Sequence, residues 1–178
     1  MNEDDMKHLN KAFALAQEAG DDNEVPVGCV FVCDGVELAY GRNSVNRTKN
    51  PTRHAEMVAL DELKAWCLSN SKDIAEILPH CTLYVTLEPC IMCACALYYL
   101  RIKRIVYGAA NERFGGLCSV ADREKYASDH IIQIDGNVDA DRAIAMLKGF
   151  YDKQNPFCPE EKRKIKKPKM EPNTTNTF

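Results

Sequence analysis

Apolar residues recur along this chain at helical spacing in four segments. Residues 5–19 place Leu9, Phe13 and Ala16 on one face, which predicts a first helix that ends at Gly20. Pro89 suits the first turn of a helix, because its missing N–H has no partner there in any case. Apolar residues at helical spacing also predict three further helices, at residues 53–68, 90–100 and 139–154.

Runs of apolar and β-branched residues predict the strands. Asp34 and Gly35 form a pair typical of a two-residue hairpin turn, so the first two strands should be antiparallel. A polar loop at residues 43–50 follows them. The predicted strands cover residues 25–33, 36–41, 81–86, 104–108 and 130–135.

The order of these elements predicts the fold class. Helices alternate with the later strands, so those strands should be parallel neighbours. We therefore expect an α/β protein with a three-layer α/β/α fold, in which a mixed five-stranded sheet carries helices on both faces. Residues 1–156 are predicted to form one domain, and residues 157–178 a basic, flexible C-terminal tail.

Composition narrows the class of protein. The chain has 178 residues, 46% hydrophobic and 28% charged, which is typical of a soluble globular protein. Its longest apolar run, residues 91–100, is too short to cross a bilayer, and the acidic N-terminus has no apolar leader segment. Nine cysteines without an export signal indicate reduced thiols. We expect no membrane association and a location in the nucleus, the cytoplasm or both.

Charge is distributed unevenly along the chain. The net charge is −3, although a short run near the C-terminus carries six positive charges and no negative one. Such a run binds nucleic acid or serves as a nuclear import signal, unless it is only a solvated tail. Because the remaining body is acidic, a nucleic-acid ligand would need basic surface from a partner. The basic residues are Lys162, Arg163, Lys164, Lys166, Lys167 and Lys169.

Three potential metal ligands lie at the starts of two predicted helices. His54 begins one of them, and Cys90 and Cys93 begin the next. The spacing of three residues places both sulfur atoms on one helix face, and the helix N-terminus favours thiolates. One imidazole and two thiolates select zinc over harder cations.

The number of ligands predicts a catalytic rather than a structural site. Structural zinc sites have four protein ligands. No fourth ligand is found in this sequence, because Cys95 points to another face of its helix and the remaining cysteines have no partner at metal-binding spacing. Glu56 lies two residues after His54, where its carboxylate can exchange protons with a water in the fourth position. The alternative is that Glu56 only complements the helix dipole.

The segments His54-Ala55-Glu56 and Pro89-Cys90-Ile91-Met92-Cys93 resemble the signature of the zinc-dependent nucleoside and nucleobase deaminases, the cytidine/deoxycytidylate deaminase superfamily. The resemblance covers about residues 5–155 and is closest to the tRNA adenosine deaminases. Flanking stretches support it: residues 26–30, 41–43, 86–90 and 104–109.

The resemblance implies a cytidine-deaminase-like fold and the conversion of adenosine to inosine at the wobble position of tRNA anticodons. One Zn²⁺ held by His54, Cys90 and Cys93 would present hydroxide to C6 of a flipped-out adenine, and Glu56 would carry the proton to the ring and then to the departing ammonia. The substrate-binding positions that it implies are Asn43, Ala55, Arg113 and Phe114.

The resemblance also implies partners. Enzymes of this kind in eukaryotes are heterodimers with a related subunit that lacks the catalytic glutamate, so a chain that keeps Glu56 looks like the active half. A homodimer is possible in isolation, and the basic tail would add to tRNA binding. Two alternatives remain open: a zinc deaminase acting on free cytidine, deoxycytidylate or guanine, and a zinc-stabilised scaffold with no activity.

Overall fold

The computed structural model describes residues 2–153, and a mixed sheet of five strands forms the centre of this part of the chain. Strand β1 is antiparallel to both of its neighbours, whereas β4 and β5 are parallel to β3. The strand order is β2-β1-β3-β4-β5, which confirms the predicted hairpin and the predicted parallel neighbours. The strands are β1 (Gly28–Cys33), β2 (Val36–Arg42), β3 (Cys81–Leu87), β4 (Arg104–Ala109) and β5 (Gln133–Asp135).

Helices cover both faces of the sheet, which confirms the three-layer fold. On one face α1 and α6 pack against Val30, Tyr84 and Val106, and on the other α3 and α5 pack against Leu83 and Ile105. These two sets of residues alternate along the strands, as successive side chains of a strand must. The α-helices are α1 (Glu3–Asp21), α2 (Val45–Thr48), α3 (Ala55–Ser69), α4 (Ile74–Ile77), α5 (Ile91–Tyr99) and α6 (Ala140–Asp152). No helix in the described residues is long and apolar enough to cross a membrane.

Several predicted boundaries were wrong by a few residues. Helix α1 does not stop at Gly20 but continues to Asp21. Strand β1 begins at Gly28 rather than at residue 25, and β5 covers only the last three of its six predicted residues. The predicted loop 43–50 contains the single turn of α2. The predicted end of the last helix and the domain boundary near residue 157 lie outside the described residues, as does the basic tail.

The hairpin turn and a close contact behind it fix the sheet against α3. Asp34 and Gly35 have φ angles of 48° and 79°, the left-handed conformation that a type I′ turn requires at both positions. At the other end of β2, a Cβ on Gly41 would lie 2.0 Å from the backbone oxygen of Ala55. The absence of a side chain at Gly41 therefore lets β2 lie directly against the start of α3.

The N-terminus of α1 is joined to the sheet by a buried ion pair. Asp5 completes a capping box with Asn2, and its carboxylate also accepts hydrogen bonds from Tyr84 on β3 and Arg104 on β4, at 2.7 and 2.6 Å. Arg104 also donates to Asp135 on β5 at 2.7 Å. Hydrogen bonding to Arg104 is the main cause that holds the pKa of Asp5 well below its usual range.

Candidate active site

The segments that contain the predicted metal ligands lie together at one edge of the sheet. Strands β3 and β4 end there, and because β1 is antiparallel to β3, the start of β1 and the end of β2 lie at the same edge. Helix α3 begins next to the end of β2, and α5 begins directly after β3. Ligands of open α/β sheets bind outside the carboxyl ends of the parallel strands, where these segments meet.

His54, Cys90 and Cys93 converge at this edge. His54 Nδ1 lies 3.5 Å from Cys90 Sγ and 3.7 Å from Cys93 Sγ, and the three potential ligand atoms all lie within 4.8 Å of one another. Tetrahedral bonds to zinc, about 2.1 Å to nitrogen and about 2.3 Å to sulfur, separate such atoms by about 3.6 Å. The cluster therefore fits a zinc ion, and it is the only such group of His, Cys and acidic side chains within residues 2–153.

Two helix N-termini position these ligands. His54 and Cys90 are the N-cap residues of α3 and α5, so His54 precedes its helix rather than lying inside it as predicted. Cys93 follows in the first turn of α5. A hydrogen bond from Cys93, and a second one from His54, lower the pKa of Cys90 to about 4, and the same pairing raises the pKa of Cys93. One thiolate therefore forms readily, as metal binding requires.

Glu56 lies beside the cluster, in the first turn of α3. Its side chain is 3% exposed, and its carboxyl group lies next to its own backbone N–H and the Cys93 thiol. Burial raises the pKa of Glu56 to about 7, with a smaller contribution from Cys90. A carboxyl group with a pKa near neutrality can both accept and release a proton at physiological pH.

A large cavity opens in front of these groups. It has a volume of 1110 Å³ and reaches from the zinc-ligand cluster to α6. Pockets for small ligands occupy about 300–1,000 Å³, so this cavity can take a nucleoside and part of its neighbours. Glu56, His54 and Cys90 are part of its wall, and apolar residues of α6 contribute the far side: Ile144, Leu147 and Tyr151.

The structure places three of the four predicted substrate residues in the cavity wall. Asn43 follows β2 and is buried, while Arg113 and Phe114 belong to the loop after β4, with the Arg113 guanidinium 5.0 Å from the centre of the Phe114 ring. Ala55 is fully buried against Gly41 and is not among the residues of the wall, so its contact with substrate stays a prediction. The predicted tRNA-binding residues of the tail lie outside the described residues.

Two buried acids next to the cavity were missed by the sequence analysis. Glu24, before β1, accepts backbone hydrogen bonds from Asn46 and Arg47, and Glu88, after β3, accepts several from the loop that follows β4. Their burial depends on loops folding over them from more than 20 residues away. The one signal in the sequence is the position of Glu88 directly before Pro89 and Cys90.

Comparison with known proteins gives the same family on three grounds. Residues 2–109 match the cytidine and deoxycytidylate deaminase zinc-binding region. The chain is 46% identical over 168 residues to tRNA-specific adenosine deaminase 2 of Xenopus tropicalis, covering 91% of this chain and 97% of that protein.

Solved structures agree. A structure from biochemical and structural studies of A-to-I editing by tRNA:A34 deaminases superposes with a TM-score of 0.68 at 30% identity, covering 80% of this chain and 99% of that one. Guanine deaminase of Bacillus subtilis has a TM-score of 0.52 at 35% identity, over 62% of this chain and 66% of that one.

Proposed function

This chain belongs to the cytidine and deoxycytidylate deaminase family with its zinc-binding region, and from that premise we propose that it converts adenosine to inosine at the wobble position of tRNA anticodons. One observation carries the proposal: a His-Cys-Cys cluster that fits zinc, with a buried carboxyl group beside it, opens into a cavity larger than a free base needs. The choice of tRNA as the substrate is supported by the similarity to proteins named as tRNA deaminases.

Hydrolytic deamination replaces the amino group at C6 of adenine by the oxygen of water and releases ammonia. His54, Cys90 and Cys93 would hold a zinc ion, which would supply a Lewis acid that makes the attacking water easier to deprotonate. Glu56 takes one proton from the attacking water and delivers it to the ring nitrogen N1, and it then passes the second proton of that water to the amino group, which leaves as ammonia.

The walls of the cavity hold the nucleotide. The amide of Asn43 can hydrogen-bond the target nucleoside, and Phe114, 53% exposed at the rim, offers a face on which a neighbouring base can stack. Arg113 above that ring can reach a phosphate. Stacking and phosphate contacts at the rim favour a polynucleotide over a free nucleobase.

The second subunit of the proposed heterodimer is a related deaminase-like chain without a catalytic glutamate. An exposed apolar stripe on α5 supports such a partner: Ile91, Cys95 and Tyr99 lie four residues apart on one helix face, and Tyr99 is 86% exposed. Apolar stripes of this kind on a protein surface mark interaction sites. In isolation, the same stripe allows a homodimer.

The deciding experiment measures inosine in a tRNA with adenosine at the wobble position. It compares the chain alone, the chain with its co-purified partner, and Glu56→Ala with the partner. We expect inosine in the partnered sample that has Glu56. If the tRNA stays unmodified in every sample with zinc present, and free cytidine or guanine is deaminated, the tRNA function is wrong.

The basic run from Lys162 to Lys169 is proposed to add to tRNA binding, and it also supports a location in the nucleus, the cytoplasm or both. Deleting residues 160–178 should weaken tRNA binding and reduce its salt dependence, because each phosphate contact adds about 0.7–0.9 to the slope of log affinity against log salt concentration. Binding titrations between low and moderate salt measure this slope. An equal slope in both proteins means that the tail does not contact tRNA.

A further inference from the structure

Glu88 is a buried acid that takes no part in the zinc cluster or in the proposed proton transfer. It is the first residue after β3 and is followed by Pro89 and the ligand Cys90. Its side chain is 1% exposed, which is unusual for an acid with no basic side chain among its hydrogen-bond partners. Its partners all come from one loop.

The loop is residues 110–119, which follows β4. Both carboxylate oxygens of Glu88 accept hydrogen bonds from this loop. Oε1 accepts the backbone N–H groups of Leu117, Cys118 and Ser119, at 3.1, 2.8 and 3.0 Å. Oε2 accepts the backbone N–H of Asn111 at 2.9 Å and the hydroxyl of Ser119. A carboxylate is the side chain suited to this position, since it is an acceptor at both oxygens and the loop presents only donors.

The same loop is also attached to the start of α5, close to the zinc ligands. Ile91 donates its backbone N–H to the carbonyl of Phe114 at 2.9 Å, and Gly116 donates to the carbonyl of Pro89 at 2.8 Å. Gly115 passes so close to Glu88 that a Cβ there would lie 2.3 Å from Oε2. The loop is therefore held against the residues on either side of Cys90.

The cavity-facing part of this loop lies between its attachment points. Asn111, which donates to Glu88, and Phe114, which bonds to Ile91, both line the cavity, with Arg113 between them. The Phe114 ring is more than half exposed, so its position depends on its backbone rather than on side-chain packing. A change at Glu88 would therefore displace this part of the cavity rim, and the zinc content of the variant reports whether the ligand Cys90, two residues away, is displaced with it.

We propose that Glu88 is a positioning residue that sets the affinity for RNA, because it folds loop 110–119 into the cavity wall that receives the nucleotides next to the target base. This inference rests on the proposed function for the identity of the ligand. The placement of the loop rests on the hydrogen bonds alone. A displacement of about 1 Å in the groups that position a substrate can cost about 10²-fold in catalytic efficiency.

The test uses Glu88→Gln in the enzyme with its partner. Glutamine keeps the size of the side chain but turns one acceptor into a donor that faces the donors of the loop. Three quantities are measured: zinc per chain, hydrogen exchange of the backbone amides, and kcat and KM for inosine formation in an anticodon stem–loop RNA. We expect one zinc per chain, faster exchange within residues 111–119, and a KM about tenfold higher with kcat changed less than about threefold.

Two further variants keep the test decisive. Ser119→Ala removes a single donor to Glu88 and should shift KM in the same direction by a smaller factor, even if Glu88→Gln does not fold. Asp5→Asn changes another buried acid, at the opposite end of β3 and outside the cavity wall, and should leave KM unchanged while lowering stability. A KM that rises equally in Asp5→Asn would show that general loss of stability is the cause, which overturns the proposal.

The remaining outcomes separate the two proposals. A folded, zinc-loaded Glu88→Gln with unchanged KM and unchanged exchange of the loop amides overturns the role of Glu88. If the wild-type enzyme forms no inosine, the proposed function fails, and hydrogen exchange alone then decides the placement of the loop: protection lost in residues 111–119 supports it, and unchanged protection overturns it.

Discussion

Two buried carboxyl groups at the same edge of the sheet differ in their protonation and in what they do. Glu56 is 3% exposed and Glu88 is 1% exposed, and burial is the largest influence on the pKa of each and raises it. The pKa of Glu56 rises to about 7, whereas that of Glu88 is lowered, because hydrogen bonds from Ser119 and from the backbone of Asn111, Cys118 and Ser119 together outweigh burial.

The difference lies in the number of donors that reach each carboxyl group. Glu56 faces the zinc-ligand cluster and the cavity, and its own backbone N–H and the Cys93 thiol are the donors beside its carboxyl group that affect its pKa. Glu88 faces a closed loop that supplies five donors. A buried acid with few donors can exchange a proton and perform chemistry, and one with many donors stays ionised and shapes the chain around it.

The strongest way to break this comparison is to remove the surroundings of Glu56. Cys93→Ala takes away both a ligand and the thiol beside the carboxyl group, so we expect loss of zinc, of activity and of solubility together, since zinc binding contributes to folding. Zinc per chain and the soluble fraction measure this. Cys95→Ala, two residues further along the same helix and exposed, is the matched control for the ligand and should keep a full equivalent of zinc. A full equivalent of zinc in Cys93→Ala would show that the ligand was misassigned.

A narrower change leaves the cluster intact and removes only the proton carrier. Glu56→Gln should lower kcat by about 10²–10⁴-fold, the usual contribution of a general acid–base group, with zinc retained and KM little changed. Single-turnover inosine formation measures the rate. Glu62→Gln changes an exposed glutamate of the same helix that accepts the backbone N–H of Tyr40; glutamine keeps an acceptor there, so the rate should stay within about twofold of wild type. Activity within tenfold of wild type in Glu56→Gln would mean that another group carries the proton.

The features of the site that the sequence could predict are the local ones. Cys90 and Cys93 are three residues apart, and their distance follows from helix geometry alone; the pair Asp34 and Gly35 predicts its own turn in the same way. His54 required a further step, because only the resemblance and the ligand chemistry join it to a segment 36 residues away.

The features that could not be predicted depend on contacts between distant segments. Glu88 accepts its hydrogen bonds only because a loop 23 to 31 residues further along the chain folds over it. The helix α1 continues past Gly20 because glycine lowers helix propensity by only about 1 kcal/mol, which tertiary contacts can offset. The burial of Ala55 is of the same kind, because it depends on the absence of a side chain at Gly41, 14 residues earlier.

Asp5 extends the comparison to a third buried acid, at the far end of the sheet. Like Glu88 it has several donors, from Asn2, Tyr84 and Arg104, and its pKa is lowered, first of all by Arg104. Its pKa is therefore lower in the folded chain than in the unfolded chain, where it is about 3.9. Ionised Asp5 thus stabilises the fold at every pH above about 4, and this contribution is lost as the pH falls below that value.

Asp5→Asn should accordingly lower the free energy of unfolding at pH 7 by about 2 kcal/mol, the range for a buried charged hydrogen bond. The difference from wild type should stay constant above about pH 4 and shrink steadily as the pH falls below that value, because the wild-type protein loses the same contribution there. Urea unfolding at a series of pH values measures the difference. Asp61→Asn, which removes an exposed ion pair with Arg53, is the matched control and should cost less than about 1 kcal/mol at any pH. If the difference in unfolding free energy between Asp5→Asn and wild type stays constant with pH, Asp5 is neutral in the folded protein. The number of hydrogen-bond donors around a buried acid of this protein then does not by itself decide whether that acid is charged.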